Sequence, residues 1–210
     1  MALELYGKVG PVRGSTGLQQ QVRLGLDGEA VITQAHAKYY EAVKRGNVYR
    51  AQTAVTGVAP GTAVGTTAAA ALYNPVDSGY DLVVLQTSMA YVSGTLGSGL
   101  ISYCANINSA AAATTGTAVT EVNAQLGKTA ANVGQMLTTA TLPTTPVVIG
   151  NFVSMTPILA TSVTAPYTVI DEVDGAIVIK PGATLSLQQT GGAGTAPLVT
   201  FAFVWEEVAI

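Results

Sequence analysis

Between Val199 and Trp205 large apolar residues alternate with smaller ones, so that Val199, Phe201, Phe203 and Trp205 share one face of an extended strand. A strand with such a face needs a second layer over it. The same texture runs through the chain after Arg50, where short Val-, Thr- and Ala-rich runs are separated by Gly, Pro and Asn. Candidate strands fall at 48–53, 68–73, 81–92, 99–107, 147–154, 167–170, 176–179, 184–189 and 198–206. Their number, with no fixed-period repeat, predicts a mainly β chain folded as a jelly-roll-like antiparallel β-sandwich. Pro181-Gly182 suits the centre of a type II turn and predicts two antiparallel strands joined there. Gly191-Gly192-Ala193-Gly194 reads as a hairpin connection, and Ala110 to Ala113 reads as a loop.

The first 30 residues carry Gly7, Gly10, Pro11, Gly14, Gly17, Gly25 and Gly28 without sustained periodicity, which predicts an extended N-terminal arm. Residues 30–45 contain no Gly or Pro and place Val31, Ala35, Tyr39 and Val43 four apart, the spacing of a helix. Lys44 and Arg45 complement the negative end of that helix, and Gly46 can cap it. The expected organisation is an arm with one short helix over 1–50 and a sandwich over 51–210.

Only 10% of the residues are charged, against roughly 25% in an ordinary soluble domain. Those few are unevenly placed: the net charge is +3 through residue 50 and −6 beyond it, where Lys128 and Lys180 are the basic residues. A basic segment on an acidic body predicts a docking arm for an acidic surface, with a solvated helix face as the plainer alternative. A body so poor in ions exposes much neutral surface, and burying that surface between subunits keeps it from nonspecific association. Stretches 82–120 and 129–170 lack charge but are broken by Thr, Ser, Gly, Asn and Pro, so no membrane partner is expected. Met1-Ala-Leu-Glu-Leu lacks the pattern of a secretory signal, which predicts a chain retained in the cell that makes it.

No motif points to a reaction, and the chain is read as non-enzymatic, with no cofactor and no metal. His36 is the single histidine and reads as a packing or hydrogen-bonding residue, while the lone Cys104 excludes an internal disulfide. Gly127-Lys128-Thr129 imitates the end of a phosphate loop, but Val122 stands where the first glycine belongs, so Lys128 reads as a surface-loop lysine. Asp171, Glu172 and Asp174, and likewise Glu206-Glu207, read as a solvated rim at strand ends, with salt bridges to the arm as the alternative. Tyr39, Tyr40 and Tyr49 lie among cations in a way that suits base stacking, but their spacing suits core anchoring better, so no nucleic-acid partner is expected.

Several stretches resemble a group of tailed-bacteriophage virion proteins: HAKYYE at 36–41, RGNVY at 45–49, Asn74-Pro75 and Ser78-Gly79 before an apolar strand, Thr141-Leu142-Pro143, IVIKPG at 177–182 and WEEVAI at 205–210. The closing strand departs from the group with Ala209 in place of proline. The resemblance implies a jelly-roll capsid decoration, or cement, protein on the virion exterior, made in the host cytoplasm. Its implied partners are itself, as a homotrimer, and the major capsid protein. On charge placement, the capsid-docking candidates are Arg13, Arg23, Lys44, Arg45 and Arg50, with Phe201, Phe203 and Trp205 as the core platform that carries them. The alternative expectation is a tail or fibre component that binds the host surface, with Tyr73, Tyr80, Tyr91 and Tyr167 as its aromatic candidates.

Overall fold

The computed structural model describes residues 37–109, 111–155, 168–192 and 194–210, together with the backbone of two short N-terminal strands. The chain divides into two compact units, Met1–Tyr40 and Glu41–Ile210. In the first, β1 (Tyr6–Lys8) pairs antiparallel with β2 (Gln19–Gln21), Tyr6 opposite Gln21. The rest of the expected arm, including Arg13, Arg23 and His36, lies outside the described residues. Of the helix expected over 30–45, only Tyr40–Arg45 forms α1 among the described residues; 37–39 are a turn ahead of it, with the Tyr40 N–H donating to the Ala37 carbonyl at 2.9 Å, so the helix is shorter than its spacing predicts. It closes with Gly46 at φ 79°, whose N–H donates to the Val43 carbonyl at 2.9 Å while the Asn47 N–H reaches Ala42 at 3.2 Å. That paired bonding is the left-handed glycine cap the sequence predicts.

The second unit is built from β3 (Val48–Gln52), β4 (Thr67–Tyr73), β5 (Tyr80–Thr95), β6 (Gly99–Ile107), β7 (Thr115–Ala118), β8 (Val122–Asn123), β9 (Gln135–Thr141), β10 (Val147–Met155), β11 (Thr168–Asp171), β12 (Ile177–Ile179), β13 (Ala183–Gly191) and β14 (Thr195–Ala209). One sheet runs β10-β6-β13-β4-β9-β7; the other runs β11-β5-β14-β3-β8, with β12 also on β5. All pairings are antiparallel. Set aside β7, β8 and β9 and treat β11 and β12 as one broken strand. The remaining chain then changes sheet at every step but the one from β6 to β10, with β14 lying between β3 and β5 while β13 lies between β4 and β6. This is jelly-roll order. Segments 115–118, 122–123 and 135–141 extend both sheets on the side away from β10 and β11.

The core sits between the sheets. Leu82, Val84, Met89, Val199, Phe201, Phe203 and Trp205 from one side meet Leu72, Ile101, Met136, Leu185 and Leu187 from the other, all fully or nearly fully buried. Each such side chain contributes about 1.5–3 kcal/mol relative to exposure. The C-terminal alternation therefore predicts its face correctly, and Trp205 stacks at 6.1 Å from the Tyr49 ring.

Each of the nine expected strands forms, with ends shifted by a few residues and position 167 outside the described residues. Arg50 and its neighbours Val48 and Tyr49 belong to β3, so the sandwich begins before residue 51. Two connections differ from expectation. The Pro181-Gly182 turn forms as predicted, with Gly182 at φ 81° and the Ala183 N–H donating to the Lys180 carbonyl at 3.0 Å. Its flanking strands do not pair: β12 joins β5, whereas β13 joins β4 and β6. The Gly191–Gly194 connection likewise passes from one sheet to the other and is no hairpin. A period of two reveals which face of a strand is buried but not which sheet the strand joins, and a tight turn serves a sheet crossover as well as a hairpin.

Candidate docking surface

Lys44 and Arg45 occupy the exposed last turn of α1, where cations complement the carbonyl end of a helix. The fold brings Lys128 to the same place. Its ammonium donates to the Arg45 carbonyl at 3.0 Å, and it passes so near Gly46 that a Cβ there would lie 1.9 Å from Nζ. The approach is fixed by β8: the Asn123 side-chain amide donates to the Gly46 carbonyl at 2.7 Å and its Oδ1 accepts from the Gln125 N–H at 2.8 Å. The Ala124 N–H donates to the Val48 carbonyl at 2.8 Å. Lys128 of the Gly127-Lys128-Thr129 segment thus serves a helix end.

Arg50 is exposed on β3, opposite Val204 on one side and Val122 on the other. It borders a shallow hollow of about 310 Å³ on the outer face of that sheet, together with Gln52, Gln86, Ser88 and Val204. Lys44, Arg45, Arg50 and Lys128 accordingly form a basic region around β3, β8 and the end of α1. Its acidic neighbour is Glu206, whose carboxyl is raised by burial and held back in part by the Arg45 charge. The remaining docking candidates, Arg13 and Arg23, lie outside the described residues.

Glu172 and Asp174 are exposed, as the expected solvated rim requires, whereas Asp171 and Glu207 depart from it. The Tyr103 hydroxyl donates to Asp171 Oδ2 at 2.7 Å and shares a short bond with the Thr87 hydroxyl, while Gln86 Nε2 donates to Glu172 at 2.6 Å. Burial foremost, and the Asp171 contact with it, hold the Tyr103 phenol above its ordinary range, partly offset by Thr87. These bonds brace β11 and the residue after it against β5 and β6. Glu207 is the clearer correction. It is 5% exposed, and Oε1 accepts from the Val133 and Gly134 N–H groups and from the Trp205 indole at 3.0, 2.8 and 3.2 Å. Its position in the sequence signals this, because 207 continues the inward phase of 201, 203 and 205. The carboxylate satisfies buried donors of a loop that would otherwise have no acceptor.

Burial raises the Glu207 carboxyl above its ordinary 4.5, with Glu121 adding to the rise and the three donors opposing it. A carboxyl raised in the folded state holds its proton more tightly there than in the unfolded chain. Its contribution favours the fold fully below about 4.5 and is lost as pH climbs past the folded value. Chemical denaturation between pH 4 and 7 is therefore expected to show stability falling with rising pH. Glu207→Gln should flatten that slope, leaving the share that Glu206 supplies, and an unchanged slope would contradict the assignment.

The aromatic candidates divide between core and surface: Tyr80 and Tyr91 are half-buried and Tyr40 is exposed. Tyr49 and Tyr73 are buried, and the Tyr91 hydroxyl donates to the Gly94 carbonyl at 2.6 Å. Tyr167 lies outside the described residues. Cys104 is fully buried, and desolvation pushes its thiol up to about 11, away from the reactive thiolate. Among the described residues, no three His, Cys, Asp or Glu side chains gather as metal ligands, and no helix is long and apolar enough to cross a membrane. No protein family, curated protein or solved structure matches the chain.

Proposed function

We propose that this chain is a non-enzymatic virion structural protein that decorates and cements a capsid lattice, assembling with copies of itself and bridging neighbouring capsid subunits. The observation that carries the reading is how the few charges are distributed over the sandwich. The sheet of β10, β6, β13, β4, β9 and β7 contains no Asp, Glu, Lys or Arg, whereas the basic region lies on the opposite sheet and at the helix end beside it. A neutral side suited to burial and a local basic region suited to an acidic lattice are what a bridging protein needs, and each added contact after the first is intramolecular. The resemblance to tailed-phage virion proteins supports the same reading.

The test is binding to shells. The quadruple variant Lys44→Glu, Arg45→Glu, Arg50→Glu and Lys128→Glu is expected to lower occupancy on undecorated capsids by roughly tenfold or more, since a tenfold loss needs only about 1.4 kcal/mol over all four sites. Its far-UV circular dichroism should remain that of the parent. Unchanged occupancy overturns the docking role. Density over the whole lattice in an electron-microscopy map supports cementing, and density confined to the tail overturns it in favour of a host-binding part.

A further inference from the structure

The outward positions along the middle of β14 are small. Phe203 is fully buried, so Ala202 and Val204 on either side of it face outward. Ala202 lies between Gln52 of β3 and Ser88 of β5, and Val204 lies between Arg50 and Gln86 in the next row. Polar side chains on both flanking strands thus stand over a low apolar floor, and these six residues line the hollow of about 310 Å³. β3 and β5 are roughly 10 Å apart across β14, the width of one side chain laid between them. Three of the polar groups are uncommitted: among the described residues, the Arg50 guanidinium, the Gln52 amide and the Ser88 hydroxyl have no hydrogen-bond or ion-pair partner. Gln86 is taken, its Nε2 donating to Glu172 Oε1 at 2.6 Å.

We infer that this hollow seats a single Asp or Glu side chain of a capsid subunit, a proposal that rests on the docking role proposed above and gives that role its partner group. The walls and floor select the occupant. Arg50 offers a planar fork of donors that matches a carboxylate, and Gln52 and Ser88 add donors around the same space. Ala202 and Val204 suit the aliphatic stem that carries the carboxylate. One unpaired cation balances one negative charge. Glu172, bound to Gln86, places an acid on the β5 side of the hollow, away from Arg50 on β3. A doubly charged phosphate would meet that repulsion with one cation to offset it, whereas a carboxylate held at Arg50 carries half the charge and sits on the favourable side. The hollow adjoins the basic region, so an acidic surface attracted by Lys44, Arg45 and Lys128 is brought over it.

Undecorated capsids are titrated with the full-length chain and with two single variants, and the concentration giving half occupancy is read. Ala202→Leu raises the floor without touching a charge, and Arg50→Lys keeps the charge but loses the fork. Each is expected to raise that concentration roughly fivefold or more, with unchanged circular dichroism. Simple attraction between charges leaves both variants binding like the parent, and that result overturns the inference. The Arg50→Lys variant, added to capsids at saturating concentration and treated with a carbodiimide, should form an amide between its new amine and a lattice Asp or Glu, the carbodiimide taking up the water that is lost. Mass spectrometry of the joined peptides reads the partner. No coupling, or coupling only to acids of this chain or of a second copy, overturns the inference. If the quadruple variant loses occupancy while both single variants keep it, the seat fails and the docking region stands; if the quadruple variant keeps it too, the docking role itself fails.

Discussion

Trp205→Ala should cost about 3–5 kcal/mol, a large part of the roughly 5–15 kcal/mol that holds a typical domain folded. The side chain is completely buried between the sheets, packed with Tyr49 and beneath Gly134, where an added Cβ would come within 3.0 Å of the indole nitrogen. Removing it leaves a cavity that rigid flanking strands cannot close. It also removes one of the donors to the buried Glu207 carboxylate. The midpoint of urea unfolding should fall with the slope nearly constant, and the thermal midpoint should drop by roughly 10 °C. Trp205→Phe is expected to recover much of the loss, because it restores most of the ring. A small effect of the alanine variant would mean that the C-terminal strand is not the centre of the core.

The second large effect is at the corner where the end of β5 meets the connection joining β13 to β14. A Cβ on Gly94 would lie 2.0 Å from the Ala196 carbonyl oxygen, and one on Gly194 would lie 1.9 Å from that of Thr95. Backbone meets backbone there, so no side chain can swing aside. Gly61 supplies the control: its φ of 85° matches the 82° of Gly94, yet nothing lies within 4 Å of its missing Cβ. Gly61→Ala should therefore cost only the left-handed backbone strain, about 1–2 kcal/mol. Gly94→Ala should add the steric term and reach about 3–5 kcal/mol. Equal losses at the two positions, measured by denaturant unfolding, would show that the connections separate without cost.

Strand positions were legible in the sequence wherever a period of two ran through bulky residues, as in 99–107, whose ends the structure reproduces, and in 198–206. The missed strands explain themselves. In β7, Thr-Gly-Thr-Ala has no large apolar residue and is exposed throughout, while β9 buries Met136 and Leu137 on opposite faces and carries Thr139 at φ 51°. Neither produces the alternation that marks a half-buried strand. The basic region was half legible. Lys44 and Arg45 announce themselves as a helix end, whereas Lys128 lies 83 residues from Arg45 and reaches it only through the pairing of β8 with β3. Glu207 was missed because two adjacent acids were read as one solvated unit. The alternation that buries Trp205 sets them on opposite faces.

β14, the last 15-residue strand of the chain, lies in the middle of its sheet, hydrogen-bonded to β5 on one side and β3 on the other. Without it, β3 and β5 have no shared partner, and the apolar sides they turn inward stay open to water. Closing that sheet therefore waits on a strand far along the chain from both of its partners. A chain cut ahead of β14 would present two unpaired edges rather than a slightly shortened sandwich.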